Sequence, residues 1–195
     1  PYYITLSRRM TSKFKAIVSK NLHHLETMFG YFLPYRFSEI KNDEFFRDIQ
    51  KLTREEYIKT ALLIGASAGK VSTEAFLTGI IENSNKPIVF CMNISKPQFL
   101  KLQKRHANNS FVRCHQVSSV STKHLPCELE NSIKKIKQMN KIDFFDVVLI
   151  DGSECTIPAS LEEVYGANFV LLNDINTFQN HKNRHKLITD PNYTL

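Results

Sequence analysis

The stretch Thr60-Ala61-Leu62-Leu63-Ile64-Gly65-Ala66-Ser67-Ala68-Gly69 decides which fold the chain adopts. Its first half is an apolar run of strand length, and its two glycines bracket a turn of small residues. A helical pattern follows from about Lys70 to Asn83. Glycine allows a ligand to approach the backbone closely, and the first amides of a helix lack intrahelical partners. The stretch therefore predicts a strand, a turn and a helix, with a ligand at the turn.

Strands and helices continue to alternate beyond this turn. Further strands are predicted at residues 87–92, 111–117, 145–150 and 168–172, and helices at 96–107, 128–139, 159–165 and 177–188. This succession predicts an α/β fold of the doubly wound, mostly parallel, Rossmann-like kind, with helices on both faces of the sheet. In such sheets the ligand lies beyond the carboxyl ends of the strands, near the point where strand order reverses. The residues that follow the strands are therefore the candidates for a site.

The N-terminal part of the chain shows a helical pattern. Apolar residues from Met10 to Phe29 recur at spacings of three and four, which predicts one amphipathic helix that ends at Gly30. Its apolar face has three interpretations. It packs on the chain's own domain, it lies on a membrane surface, or it binds a partner such as a second copy of the chain, which would give a homodimer.

The pattern also suggests how the chain is divided. Shorter helices are predicted at residues 43–52 and 54–57. We expect residues 1–56 to form an N-terminal helical arm and residues 57–195 to form the Rossmann-like domain. The sequence starts without Met and stops inside a predicted strand at 192–195, so we expect the C-terminal end of the domain to be truncated.

Composition narrows the class of protein. The chain has 195 residues, of which 42% are hydrophobic, which suits a single core. Its four cysteines are widely spaced, and nothing resembles a secretory signal or a transmembrane segment, so we expect a cytoplasmic protein. The net charge of +7 is scattered along the chain, whereas nucleic-acid-binding domains usually concentrate theirs. A small-molecule partner is therefore favoured over nucleic acid.

The spacing of the glycines excludes two phosphate-binding loops. A loop of the Walker type needs four residues between its glycines, followed by Lys and then Ser or Thr. This chain has three such residues, followed by Lys70 and Val71. The dinucleotide fingerprint needs Gly-x-Gly-x-x-Gly, but Ser67 and Lys70 stand at its second and third glycine positions.

Three segments together resemble a known family. Leu62 to Gly69, Phe90 to Asn93 and Phe145 to Gly152 resemble the class I S-adenosylmethionine-dependent methyltransferases. The resemblance covers roughly residues 58–190. It implies a Rossmann-like domain, S-adenosylmethionine as cofactor and methyl transfer as the reaction.

The resemblance also implies which residues bind the cofactor. In that family, the glycine turn passes under the amino-acid and ribose part, and an acid that ends the second strand binds the ribose. The loop after the third strand contacts adenine, and the fourth strand ends facing the methyl group. Carried over by position, the cofactor-binding residues are Gly65, Ala66, Ser67 and Gly69 in the turn, Asn93, Ser118, Ser119, Asp151 and Gly152.

Two positions depart from the family's pattern. Leu63 stands where many members have an acid two places before the first glycine, and Asn93 replaces the ribose-binding acid. An amide still hydrogen-bonds a hydroxyl, but without the added strength of a charged acceptor. These departures predict a weak affinity for the cofactor.

Two acidic residues are the candidate catalytic groups. Asp151 and Asp174 follow the fourth and fifth strands of the predicted domain, where a carboxylate can act as general base for an acceptor hydroxyl, with Asp174 as helper. The pair also resembles the metal-binding positions of cation-dependent O-methyltransferases, which implies a divalent ion such as magnesium. The alternative is that both acids cap turns or helices.

Three hypotheses about function follow. The first is an S-adenosylmethionine-dependent methyltransferase that acts on an oxygen of a small or sugar-like acceptor. The second is a non-catalytic Rossmann-like binding or regulatory domain whose cofactor site has degenerated, because fold does not fix function. The third is an RNA methyltransferase, although the chain lacks the Asn-Pro-Pro-Tyr type of signature after the fourth strand.

Overall fold

The computed structural model describes residues 4–8, 44–117, 125–151, 160–173 and 178–194. The strands in these residues are β1 (Ile4–Arg8), β2 (Thr60–Ile64), β3 (Ile88–Asn93), β4 (Val112–Gln116), β5 (Val147–Ile150), β6 (Phe169–Leu172) and β7 (Tyr193–Thr194). The helices are α1 (Glu44–Thr53), α2 (Val71–Glu82), α3 (Lys96–Arg105), α4 (Leu125–Asn140), α5 (Ser160–Val164) and α6 (Phe178–Thr189). None of the described helices is both long and apolar enough to cross a membrane.

The strands form one sheet in the order β4-β3-β2-β5-β6-β1-β7. Strands β2 to β6 pair in parallel, and β1 pairs antiparallel with β6 and β7. The chain runs outward from β2 to β4 and then returns to β5, so strand order reverses between β2 and β5. At this point Ile64 is opposite Ile150 in register, and both strands end at the same edge. The predicted doubly wound, mostly parallel fold is confirmed.

Helices cover both faces of the sheet because the central strands are apolar on both sides. Leu62 and Ile64 of β2 belong to a core cluster with residues of α4, α5 and α6. Ala61 and Leu63 belong to a second cluster with residues of α1, α2 and α3. All four of these β2 residues are buried. A continuous apolar run therefore marks a strand that lies between two layers of helices.

The described parts of residues 1–56 differ from the predicted helical arm. Residues 4–8 form a strand of the sheet, with Ile4 opposite Leu172. The alternation of apolar and polar residues in Ile4-Thr5-Leu6-Ser7 is the strand signal that the helical interpretation overlooked. Residues 54–57 form turns rather than the predicted helix. The amphipathic stripe of residues 10–30 lies outside the described residues, so the arm as a separate unit stays a prediction.

Helix α1 packs tightly on α2 through Gly79. A Cβ added at Gly79 would collide with the Thr53 hydroxyl and with the Gln50 carbonyl of α1. Asn83, at the end of α2, donates from its Nδ2 atom to the carbonyls of Thr53 (3.2 Å) and Glu55 (2.7 Å). These contacts join α1 to the Rossmann-like core. The sequence had instead predicted this helix to be part of the N-terminal helical arm of residues 1–56.

Asp146 joins three strands at the amino end of the sheet. Its Oδ2 atom accepts hydrogen bonds from the amides of Lys59 and Thr60, both at 2.9 Å, and from the Thr60 hydroxyl at 3.1 Å. Its Oδ1 atom accepts one from Asn168 Nδ2 at 3.0 Å. A single carboxylate thereby fixes the starts of β2, β5 and β6 relative to one another.

Candidate functional site

A cavity of about 320 Å³ opens at the carboxyl end of the sheet, beside the point where strand order reverses. Its volume lies in the range of about 300–1,000 Å³ that is usual for small-molecule sites. Its apolar wall includes Ile64, Met92, Ile94, Val117 and Leu129. Its polar lining is formed by Gly65, Ser67, Lys70, Asn93, Ser95 and Asp151. The cavity thus combines an apolar wall with a few polar groups, as sites for small organic ligands do.

The glycine turn forms one wall of this cavity. Gly65 has a φ of 87° and Gly69 a φ of 88°, which residues with a side chain rarely adopt, so both positions require glycine. The amides of Gly65 and Ala66 both donate to the Met92 carbonyl at 3.0 Å. The turn is therefore tied to the end of β3 and has a fixed shape before any ligand enters.

Two further amides of the turn are paired with side chains of α2. The Ser67 amide donates to Thr73 Oγ1 at 3.0 Å, and the Gly69 amide donates to Glu74 Oε1 at 3.1 Å. The second oxygen of Glu74 is held by Arg105 Nη2 at 2.7 Å. Side chains of the chain itself thus satisfy two amides of the glycine turn. A phosphate would have to displace these side chains before it could use the same donors.

Asn93 connects the glycine turn to the loop that follows β3. Its Nδ2 atom donates to the Ala66 carbonyl, and its Oδ1 atom accepts from the Ser95 amide at 2.6 Å. Both ends of the amide therefore contact the backbone around the cavity. A carboxylate at this position would have no donor for the Ala66 carbonyl. The presence of Asn rather than Asp at this position thus has a local structural reason.

Asp151 follows β5 and is held by three side chains. Its Oδ1 atom accepts from Lys70 Nζ and, at 2.9 Å, from Asn173 Nδ2, while its Oδ2 atom accepts from the Ser72 hydroxyl. Its side chain is 1% exposed, whereas that of Lys70 is 32% exposed. The Asp151 amide donates to the Ile64 carbonyl at 2.9 Å, which places the residue beside the end of β2.

These contacts do not suit a divalent metal ion. The described residues contain no group of three His, Cys, Asp or Glu side chains placed to hold one. The ammonium of Lys70 contacts Asp151, and a divalent cation at that carboxylate would be repelled by it. The magnesium site implied by the family resemblance thus does not fit the described side chains around Asp151.

Two titratable groups near the cavity are held in their neutral forms. Burial raises the pKa of the Cys91 thiol, and the neighbouring Cys114 adds to this effect. Burial lowers the pKa of His115, and the charge of Arg113 lowers it further. His115 is the register partner of Met92, which lines the cavity. Among the described residues that line the cavity, the charged side chains are therefore Lys70 and Asp151.

The structure brings together most of the predicted cofactor-binding residues. Gly65, Ser67, Asn93 and Asp151 line one cavity, with Ala66 and Gly69 in the adjoining turn. The predicted residues Ser118, Ser119, Gly152 and Asp174 lie outside the described residues.

The sequence interpretation assigned no site role to Lys70 or Ser72, and it placed Asn173 among the candidate positions after a strand without giving it a contact. All three side chains contact Asp151. Lys70 follows the glycine turn directly, Ser72 lies in the first turn of α2, and Asn173 directly follows β6. Position after a strand or its turn was the signal that could have identified them.

Comparison with known proteins supports the fold. No protein-family model matches the chain. A search of curated proteins likewise found no match. Among solved structures, the chain is similar to the O-methyltransferase from Bacillus cereus in complex with SAH (S-adenosylhomocysteine). The two share 15% sequence identity with a TM-score of 0.55, over 75% of this chain and 69% of that one. The chain thus has a Rossmann-like α/β fold of the kind found in this O-methyltransferase.

Proposed function

We propose that the chain is an S-adenosylmethionine-dependent methyltransferase that binds its cofactor in the cavity between the glycine turn and Asp151. The similarity to the Bacillus cereus O-methyltransferase supports this proposal at the level of the fold. The acceptor that we propose is an oxygen atom of a small or sugar-like molecule. Because the cavity lies beside the reversal of strand order, it is the position where this fold class binds ligands.

The proposal rests mainly on the hydrogen bonds that the amides of the glycine turn make with side chains of the chain itself. A nucleotide phosphate is usually bound by unpaired amides at a glycine turn and helix N-terminus. Here the Ser67 and Gly69 amides are paired with Thr73 and Glu74, and Glu74 adds a carboxylate beside the turn. These contacts disfavour a phosphorylated ligand. They are compatible with an adenosine ligand that carries an amino acid in place of phosphate.

Proximity and orientation are the expected sources of catalysis. Methyl transfer requires the sulfonium, the methyl carbon and the acceptor oxygen to lie in line, and holding them so contributes much of the rate. When bound, the cofactor supplies the activated methyl group. Asp151 stays our proposed residue on the acceptor side, with Asp174 as its helper. Three donors contact Asp151, two at Oδ1 and one at Oδ2, so Oδ2 is the oxygen with room to accept the proton of the acceptor hydroxyl.

The second candidate is a non-catalytic domain that keeps the fold without turnover. The observation that favours it is Asn93, whose amide contacts Ala66 and Ser95 at the position where the family has a ribose-binding acid. The two candidates differ in a measurable way, since a non-catalytic domain transfers no methyl group.

Calorimetric titration with S-adenosylmethionine and SAH, with ADP as a phosphorylated comparison, tests the binding step. We expect saturable binding of the first two ligands and weaker binding of ADP. Gly65→Val should abolish binding, because valine strongly disfavours a φ of 87°. Gly166→Val is the control outside the cavity lining, since Gly166 also has a positive φ of 91°. A Cβ at Gly166 would also collide with the Phe144 ring, so we expect this variant to lose stability while it keeps ligand binding as long as it folds. Thermal unfolding of both variants shows whether each is folded.

A second measurement separates the two candidates. Purified chain and S-adenosylmethionine with a radioactive methyl group are incubated with a panel of hydroxyl compounds, with and without EDTA. Transfer that Gly65→Val abolishes would support the methyltransferase and exclude the non-catalytic domain. Binding without transfer to any acceptor would favour the non-catalytic domain. Tighter binding of ADP than of SAH would contradict the choice of cofactor.

A further inference from the structure

Among the eleven described residues that line the cavity, two are charged, and they contact each other. These residues are Lys70 and Asp151. The Asp151 side chain is 1% exposed and is held by Ser72 and Asn173 as well, so its position is fixed. The Lys70 side chain is 32% exposed and reaches Asp151 from the cavity wall. The cavity thus presents an ammonium group whose partner is buried behind it.

The chemistry of this pair selects one kind of anion. Asp151 offsets the charge of Lys70, so the pair attracts a dianion such as a terminal phosphate only weakly. The amides of Ser67 and Gly69 are paired with Thr73 and Glu74, so a phosphate could use these two donors only by displacing the side chains. An amino-acid group carries one carboxylate and one ammonium, so its net charge is zero. Such a group needs neither a net positive charge in the cavity nor the backbone donors that a phosphate uses. The pair therefore suits a zwitterionic amino-acid group.

We propose that Lys70 recognises the carboxylate of the amino-acid end of the ligand, and that Asp151 positions its ammonium for this contact. The inference rests on the proposed function, because S-adenosylmethionine and SAH both carry an α-amino acid. Lysine is a compact cation on a flexible stem, so it can turn toward a ligand carboxylate while its stem stays in place. Lys70 follows Gly69 directly, so this contact would lie next to the glycine turn.

Removing the carboxylate from the ligand tests this assignment. The affinity of the chain for SAH is compared with its affinity for decarboxylated SAH, which keeps the ammonium, the thioether and the adenosine. We expect the natural chain to prefer SAH by about tenfold, the scale of one hydrogen bond to a charged group. Lys70→Met should abolish this preference without weakening the binding of decarboxylated SAH, because the Asp151 carboxylate then attracts the ammonium that both ligands carry.

Two further variants keep the test decisive if Lys70→Met does not fold. Lys70→Arg retains the positive charge and should retain the preference for SAH. The double variant Lys70→Met with Asp151→Asn removes both charges, so no uncompensated carboxylate remains buried, and it should show no preference. The inference would be overturned if Lys70→Met or the double variant lowered the affinity for both ligands equally. It would also be overturned if either variant kept the tenfold preference for SAH.

Failure of the proposed function gives a different result. If the natural chain binds neither SAH nor decarboxylated SAH at millimolar concentration, the choice of cofactor is wrong and the assignment of Lys70 fails with it. If both ligands bind with equal affinity, the cofactor stands and only the role of Lys70 is wrong.

Discussion

Two aspartates lie at opposite ends of β5, and they are held in different ways. Asp146 precedes the strand and accepts hydrogen bonds from the backbone amides of Lys59 and Thr60. Asp151 follows the strand, and the donors to its carboxylate are side chains, one of them the ammonium of Lys70. The amino end of the sheet thus uses a carboxylate to fix strands, whereas the carboxyl end places one beside a cavity.

The two carboxylates differ in whether they can exchange their hydrogen-bond partners. A backbone amide moves only when its strand moves, so the partners of Asp146 stay in place as long as the sheet is intact. Lys70 is a long side chain with about one third of its surface exposed, so it can change partner without disturbing a strand. We infer that Asp146 contributes mainly to stability and that Asp151 contributes mainly to ligand recognition.

The largest expected effect is on stability at the amino end. Asp146→Ala removes the acceptor of two backbone amides and two side-chain donors, and we expect the free energy of unfolding to fall by about 3 kcal/mol. Urea denaturation measures this loss. Asp143→Ala removes a nearby exposed aspartate and should change the free energy of unfolding by less than about 0.5 kcal/mol. Equal losses in the two variants would show that Asp146 does not fix the strands.

The comparison also shows what the sequence can predict. The bounds of β2 were predicted correctly, because an apolar run that ends at Gly65 has few other interpretations. The other four strands of the parallel sheet, β3 to β6, were also predicted, to within about two residues at each end, which is the usual uncertainty of such boundaries. Strands β5 and β6 are buried throughout and β3 is buried along most of its length, so their apolar pattern is strong. The edge strand β4 is only partly buried and carries the polar residues Arg113, His115 and Gln116.

The contacts within the site could not be predicted in the same way. Ser72 reaches Asp151 from 79 residues away and Asn173 reaches it from 22 residues away, and no spacing rule joins them. The donor from Asn93 to the Ala66 carbonyl is equally non-local. Strand β1 was missed because its short alternation stands alone, ahead of a much longer helical pattern. Position at the sheet edge is predictable from sequence, but hydrogen-bond partners depend on the packed structure.

A smaller effect is expected from the charge at the carboxyl end. Asp151→Asn removes the negative charge that contacts the Lys70 ammonium, so the cavity becomes more positive. S-adenosylmethionine carries a sulfonium cation and SAH a neutral thioether, so the variant should shift the ratio of their affinities toward SAH by about tenfold. Calorimetry with both ligands measures the ratio. Asp146→Asn is the matched control. It should lower stability but leave the ratio of the two affinities unchanged. An unchanged ratio in Asp151→Asn would mean that the charge of Asp151 does not reach the sulfonium.

The smallest effect tests whether Asn93 belongs to the fixed frame or to the ligand site. Asn93→Asp replaces the donor to Ala66 with a carboxylate that faces a carbonyl oxygen. We expect the affinity for SAH to fall about fivefold near neutral pH, the scale of one lost hydrogen bond. A protonated carboxyl group can donate again, and the neighbouring oxygen raises its pKa, so affinity relative to the natural chain should recover as the pH falls toward 5. Asn108→Asp, at an exposed position, adds the same charge and should show no such pH dependence.

The opposite result would assign Asn93 a different role. If Asn93→Asp binds SAH more tightly near neutral pH, the carboxylate is acting as a ribose acceptor, and its contact with the ligand outweighs the lost contact with Ala66. The natural Asn93 would then mark a weakened cofactor site, which favours the non-catalytic domain. If the fivefold loss and its recovery at low pH are both observed, the amide instead holds the glycine turn in place, and Asn93 is compatible with a working enzyme. The direction of the change near neutral pH therefore separates the two roles.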